Sequence, residues 1–208
     1  MDEFLRHTIE IVEIAASEIG NFGQVICQRD RSRALVRHLR DLGVDTSQVV
    51  TTTQRRTAEY CAILSRESEL ILGIADMGVL DLFTEANLER IWPHLASATW
   101  VFADCNLPAE VLARLCAMRP GARFRLAVDT VSAPKARRLP ADLSGIDLLV
   151  LNTDEAEAYL TERGDEADRT PAETARALRA AGADTVVLTR GLRGLLVATE
   201  EGVTGLPA

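Results

Sequence analysis

From Thr84 onward the chain alternates short apolar runs with stretches of helical pattern, and this alternation constrains the fold more than any single motif does. The runs at 99–104, 124–129, 147–151 and 185–189 are almost wholly apolar. Helical stretches fall at 84–91, 108–118, 134–138, 153–162 and 171–181, with Thr84 as an N-cap, Pro108 in a first turn and Gly182 as a stop. A strand that is apolar along its length needs cover on both sides. The pattern therefore predicts an α/β fold, an open, mainly parallel sheet with helices on both faces. Residues 194–199 and 202–206 predict a closing hairpin. The 208 residues suit one sizeable core, and the expectation is a single domain over 1–208.

The first third reads differently. Phe4, Ile9, Val12, Ala16 and Ile19 share a face of a helix over 3–19, Gln24–Cys27 reads as a short strand, and 31–42 as a helix that Gly43 ends. In that second helix Leu35, Val36 and Leu39 face inward, with Arg33, Arg37 and Arg40 outward. Val49–Thr53 is β-branched throughout, and Glu59–Leu64 and Glu69–Ala75 flank Ser65-Arg66-Glu67-Ser68 as two strands flank a turn. The expectation is a small β flap at about 48–76.

Several function classes drop out early. The net charge of -8 gives no electrostatic footprint for nucleic acid or an anionic membrane, and the basic clusters at 29–33 and 137–138 read as solvated faces. No segment approaches the ~18 continuous apolar residues of a membrane helix. Acidic residues at 2, 3, 10 and 13 argue against a signal peptide. Cys27, Cys61, Cys105 and Cys116 form no CxxC pair and read as buried free thiols, which suggests a reducing, cytoplasmic setting. His7, His38 and His94 are scattered, Ser132 lacks a G-x-S-x-G context, and no Gly-Lys-Ser/Thr occurs. No G-x-G-x-x-G follows a strand, so a dinucleotide-binding oxidoreductase is disfavoured.

Open parallel sheets bind ligands beyond the carboxyl ends of their strands. The residues there are Asp76, Asp104 with Asn106, 129–132, 152–155 and 189–191. An N-cap with a first-turn acid would account for Asn152-Thr-Asp-Glu155 by itself, but the same pair can hold a hydrated Mg²⁺ near phosphate oxygens. Thr189-Arg-Gly191-Leu-Arg-Gly194 reads either as a hairpin turn or as a turn presenting amides to a phosphate. Lys135 can cap a helix or approach phosphates.

These segments fall in a familiar order: Arg56-Thr-Ala-Glu-Tyr60, Gly73-Ile-Ala-Asp-Met77, Asp104-Cys-Asn-Leu-Pro108, Val128-Asp-Thr-Val-Ser-Ala-Pro-Lys135, Asn152-Thr-Asp-Glu155 and Leu188-Thr-Arg-Gly191. From about Arg33 to Ala208 the chain resembles the ribokinase-like (PfkB) carbohydrate kinase family, nearest its pseudouridine kinase branch. The resemblance implies ATP- and Mg²⁺-dependent phosphoryl transfer to a hydroxyl of a sugar or nucleoside. It implies that Asn152 and Glu155 organise metal and phosphates, that Thr189, Gly191 and Lys135 line the nucleotide site, and that Asn106 and Asp76 face the acceptor. It also implies a catalytic Asp in a Gly-Ala-Gly-Asp motif, which these residues do not contain, and an opening strand that 1–30 match poorly. The fold is thus expected to be incomplete at both ends, no catalytic base is assigned, and activity is expected to be impaired. The alternative is a non-catalytic binding or oligomerisation module on the same scaffold. The apolar flap strands suggest a homodimer formed edge to edge.

Overall fold

The computed structural model describes residues 25–27, 30–66, 70–165 and 167–208. The helix expected over 3–19 and residues 67 and 68 of the expected flap turn lie outside them. The chain divides into two compact units, which meet in sequence at Phe83 and Thr84.

In the first unit, strand β1 (Val25–Cys27) leads through helix α1 (Asp30–Asp41) to β2 (Val50–Thr52), and the two strands pair in parallel with Val25 opposite Val50. Gly43 ends α1 as expected. It sits at φ 85°, its amide donates to the Arg40 carbonyl at 2.9 Å, and the Val44 amide donates to Leu39 at 3.0 Å. That pair of bonds is a Schellman cap, which needs a left-handed residue at this position. Strands β3 (Glu59–Leu64) and β4 (Leu70–Asp76) form a separate antiparallel hairpin with Glu59 opposite Asp76. The β-branched run at 50–52 was expected in the flap; it pairs with β1 instead, because a parallel βαβ partner is available to it. The hairpin is exposed on both faces, with Ile71 at 67% and Ile74 at 57%. The Tyr60 ring lies over Gly73, filling the space a side chain there would take.

The second unit carries a six-stranded sheet in the order β10-β9-β8-β7-β6-β5. Its strands are β5 (Trp100–Asp104), β6 (Arg125–Asp129), β7 (Leu148–Asn152), β8 (Thr185–Thr189), β9 (Leu195–Thr199) and β10 (Gly202–Leu206). β5 to β8 run parallel, and β9 and β10 return antiparallel as the expected closing hairpin. The helices are α2 (Glu85–Ser97), α3 (Ala109–Met118), α4 (Ala133–Ala136), α5 (Thr153–Glu162) and α6 (Pro171–Ala180). Each parallel strand pairs with the next in sequence, so right-handed crossovers put the connecting helices of this unit on one face. Ala103, Val128, Leu149 and Val186 lie level as one buried row across the sheet, with Val101 beside Leu126 on one side of it and Leu151 beside Leu188 on the other. The mainly parallel α/β architecture expected from the apolar runs is the one observed.

Local signals explain most helix starts. Thr84 with Asn87, Asn152 with Glu155 and Thr170 with Glu173 all form capping boxes. α2 runs past its expected end at residue 91, through Pro93 to Ser97. Burial of Leu88 and Ile91, with Trp92 edge-on to Phe124 at 5.6 Å, outweighs the local cost of the proline. The N-terminal end of β7 is pinned by Asp147. Its carboxylate accepts from the Arg119 guanidinium through two nitrogens and from the Leu126 amide at 2.7 Å.

Candidate active site at the carboxyl ends of the parallel strands

Four parallel strands deliver their last residues to one edge of the second unit. Asp104 stands beside Asp129 in register, and Asn152 beside Thr189. Asp129 is level with Val150, so Asn152 lies two residues further out.

At the end of β7, the Asn152 side chain accepts from the Glu155 amide at 2.9 Å, and the Asn152 amide donates to Glu155 Oε2 at 2.9 Å. Thr130 Oγ1, fully buried on the neighbouring segment, donates to the same Oε2 at 2.7 Å. Glu155 is 8% exposed. The capping box therefore explains how α5 starts, and it also leaves a carboxylate, held at one oxygen, at the sheet edge.

Beyond β5 the chain turns sharply. Asp104 Oδ1 accepts from the Asn106 amide at 2.9 Å and Oδ2 from the Asn106 side-chain nitrogen at 2.7 Å, an Asx turn closed twice. Two cations from the α4 region hold this turn. Lys135 Nζ donates to Asn106 Oδ1, and Arg138 Nη1 donates to the carbonyls of Asn106 at 2.9 Å and Leu107 at 3.2 Å. Lys135 thus sits with Asn106, the residue expected to face the acceptor. Arg138 was expected on a solvated face. It is half-buried here, because three successive carbonyls of a tight turn need donors; only its neighbour Arg137 stays exposed, 3.6 Å from Glu162.

After β6, Asp129 Oδ1 accepts from the Val131 amide at 2.8 Å and the Ser132 amide donates to the Thr130 carbonyl at 2.7 Å. Val131 lies between them at φ 66°, a left-handed conformation that β-branched residues avoid. Burial, and then the nearby charges of Glu155 and Asp104, raise the Asp129 carboxyl above its ordinary range, while the Val131 amide opposes the rise. Cys105, fully buried beneath the same edge, has its thiol pushed up to about 12, chiefly by burial. It is no nucleophile.

After β8, Thr189 Oγ1 donates weakly to the Leu151 carbonyl at 3.4 Å. The turn that follows is closed by the Arg190 amide on the Gly194 carbonyl at 2.9 Å and by the Gly194 amide on Gly191 at 3.0 Å. Gly191 has φ 57° with open space around it, and Leu192 beside it is 99% exposed. Asp76 ends β4 in the first unit, exposed, with Oδ1 accepting from the Gly78 amide at 3.3 Å.

Sequence reasoning therefore named most of this edge. It missed Thr130 and Arg138, whose roles depend on partners some 25 to 33 residues away. Among the described residues no group of three or more His, Cys, Asp or Glu is placed to hold a metal ion. The donors present are hard carboxylate oxygens, which suit Mg²⁺ held largely by phosphates and water with one protein carboxylate behind them. Glu155 fits that role, since its bonds all fall on Oε2.

Comparison with known proteins agrees with this geometry. A pfkB family carbohydrate kinase profile matches residues 24–208. An uncharacterized sugar kinase of Escherichia coli (strain K12) is 33% identical over 115 residues, covering 55% of this chain and 31% of the relative. The pseudouridine kinase of the same organism is 27% identical over 125 residues, covering 60% and 39%. The structure of a carbohydrate kinase from Agrobacterium tumefaciens superposes with a TM-score of 0.72 at 27% identity, covering 85% of this chain and 55% of that one. The chain thus spans between about a third and about half the length of these relatives. Strand-end chemistry, fold and profile agree, and the chain belongs to the pfkB family of carbohydrate kinases.

Proposed function

We propose that these residues form the nucleotide- and phosphate-binding part of an ATP-dependent kinase that phosphorylates a hydroxyl of a sugar or nucleoside, with pseudouridine the first acceptor to test. The observation that carries this reading is the buried Glu155 carboxylate, held at Oε2 by Thr130 and Asn152 at the edge where four parallel strands end. Phosphoryl transfer asks a protein mainly for positioning and charge stabilisation. Mg²⁺, when bound, would neutralise phosphate charge. Glu155 and Asn152 would orient its water shell, the 190–194 turn and Thr189 would receive the nucleotide, and Lys135 would lend positive charge while holding Asn106 toward the acceptor. Asp76, at the end of β4, is proposed as an acceptor-binding residue as well. The similarity to a named pseudouridine kinase supports the acceptor choice.

No residue of this chain is assigned the proton-accepting role, because Gly-Ala-Gly-Asp does not occur in it. Lack of a general base typically costs ~10²–10⁴ in rate, so slow turnover by these 208 residues alone is part of the proposal. The exposed apolar side chains of the hairpin support a second element, a homodimer paired through that hairpin. The free thiols of Cys105 and Cys116, buried as expected, and of Cys61, which is exposed on the two-faced hairpin instead, support a reducing, cytoplasmic location. Among the described residues no helix is long and apolar enough to cross a membrane.

The test is calorimetric titration with MgATP, followed by mass-spectrometric detection of phosphorylated pseudouridine and of a panel of sugars. The reading expects MgATP binding that loses its metal-dependent part in Glu155→Ala. Folded protein that shows no binding at millimolar MgATP would refute it.

A further inference from the structure

Among the described residues, Thr130 is the one fully buried polar side chain that donates into the candidate site. Its role stands out against the other acidic capping box of the same unit. At the start of α6, Glu173 Oε2 accepts from the Thr170 amide at 2.8 Å and the Thr170 hydroxyl at 2.6 Å, both from its own N-cap residue, and the box is exposed. At the start of α5 the N-cap is Asn152, which has no hydroxyl to give. The second donor comes instead from Thr130, 25 residues earlier on the segment that leaves β6. Forming an N-cap does not require this cross-strand bond. What it adds is a fixed carboxylate orientation: both donors converge on Oε2, and Oε1 takes no part in the bonds that fix the group.

The backbone around Thr130 is arranged to hold that hydroxyl in place. The Thr130 amide donates to the Val150 carbonyl of β7 at 3.3 Å, the Ser132 amide donates to the Thr130 carbonyl, and Val131 is kept at φ 66° with its amide on Asp129. A left-handed β-branched residue is tolerated only where the surroundings over-determine it, and such strain concentrates at functional sites. We propose that Thr130 is a positioning residue: it aims the Glu155 carboxylate at the metal–phosphate group of the nucleotide, and the strained turn at Val131 exists to set its hydroxyl. This rests on the kinase reading above.

The experiment compares the unsubstituted chain with Thr130→Ser, Thr130→Ala, Thr130→Val and Glu155→Gln. Each is titrated with ATP in the presence of Mg²⁺ and again with EDTA, and each fold is checked by circular dichroism and thermal melting. The quantity read is the metal-dependent gain in ATP affinity. Thr130→Ser should keep that gain within about twofold. Thr130→Val and Thr130→Ala should cut it by roughly 10- to 100-fold, the scale of one hydrogen bond to a charged group. Metal-free ATP binding should stay unchanged in the Thr130 variants. A merely structural threonine would lower the melting temperature and leave the gain intact. If Thr130→Ala and Thr130→Val retain the gain while Glu155→Gln loses it, the positioning role is wrong. If even the unsubstituted chain shows no gain, the kinase reading itself fails, and the proposal with it. Should Thr130→Val not fold, the Ser–Ala comparison decides.

Discussion

Replacing Asp147 by Asn removes one negative charge and almost no volume from the joint between β6 and β7. In the native chain this carboxylate accepts from Arg119 Nε at 2.8 Å, from a second guanidinium nitrogen, and from the Leu126 amide at 2.7 Å. The two side chains are mostly withdrawn from water, Arg119 at 25% and Asp147 at 17%. Asn retains one acceptor oxygen, so at least one donor loses its partner and the guanidinium loses its counter-charge. Hydrogen bonds to charged groups contribute about 1.5–3 kcal/mol, and severing a fully buried pair costs about 3–5 kcal/mol. Partial exposure places Asp147→Asn near the lower range, about 2 kcal/mol. For a chain of this size that is a fall of roughly 4–8 °C in melting temperature. Differential scanning calorimetry gives the number. The double variant with Arg119→Met should recover part of the loss, because no unpaired charge then remains. A single variant melting within about 1 °C of the parent would refute the reasoning, as would strictly additive losses in the double variant.

The remaining predictions concern the site, the turns and the hairpin. Asp129→Asn should stabilise the fold at neutral pH, because the native carboxyl is raised by burial and by Glu155 and Asp104, so its ionised form is penalised only in the folded state. The advantage should shrink as pH falls through the raised folded value and vanish below the ordinary carboxylate range near pH 3.9, measured by urea midpoints at several pH values. Gly145→Ala drives a methyl into the backbone of Cys116 and should cost about 1–3 kcal/mol in a urea melt, whereas Gly43→Ala, with open space but φ 85°, should cost only about 1 kcal/mol. Ile71→Glu with Ile74→Glu on the hairpin should shift sedimentation from dimer to monomer; a chain that is monomeric before substitution removes the proposed dimer.

The parts of this fold that could be read from the residues were those governed by short-range rules. The apolar runs at 99–104, 124–129, 147–151 and 185–189 announced buried parallel strands, and parallel strands bring their carboxyl ends together, which is why Asp104, Asn106, Asn152, Glu155 and Thr189 were named in advance. Gly43 and Thr84 gave their caps away through chemistry within four residues. What escaped depended on partners distant in sequence. Nothing around Arg138 distinguishes it from the exposed Arg137, because the difference lies in the carbonyls of 105–107, which only the folded turn presents. Thr130 looks like any strand-end threonine until Glu155 arrives beside it. β2 resembled the flap strands in composition and differs from them only in its partner. The helix expected to end at residue 91 runs on through Pro93, because the packing of Leu88, Ile91 and Trp92 holds it.

Strand order also has a consequence for how the sheet comes together. From β5 to β10 every strand lies next to its predecessor in the chain, so no pairing in this sheet has to wait for a segment made later to slip between two made earlier. Loop closure is confined to successive crossovers and two hairpins, and its entropic cost grows only slowly with their length. Such a sheet can lengthen by one strand at a time, each new strand finding an edge already in place. The residues of the candidate site would then arrive in the same sequence. The Asp104 turn comes first, Thr130 next, and Glu155 last of the three, entering a position where its hydrogen-bond donor already stands.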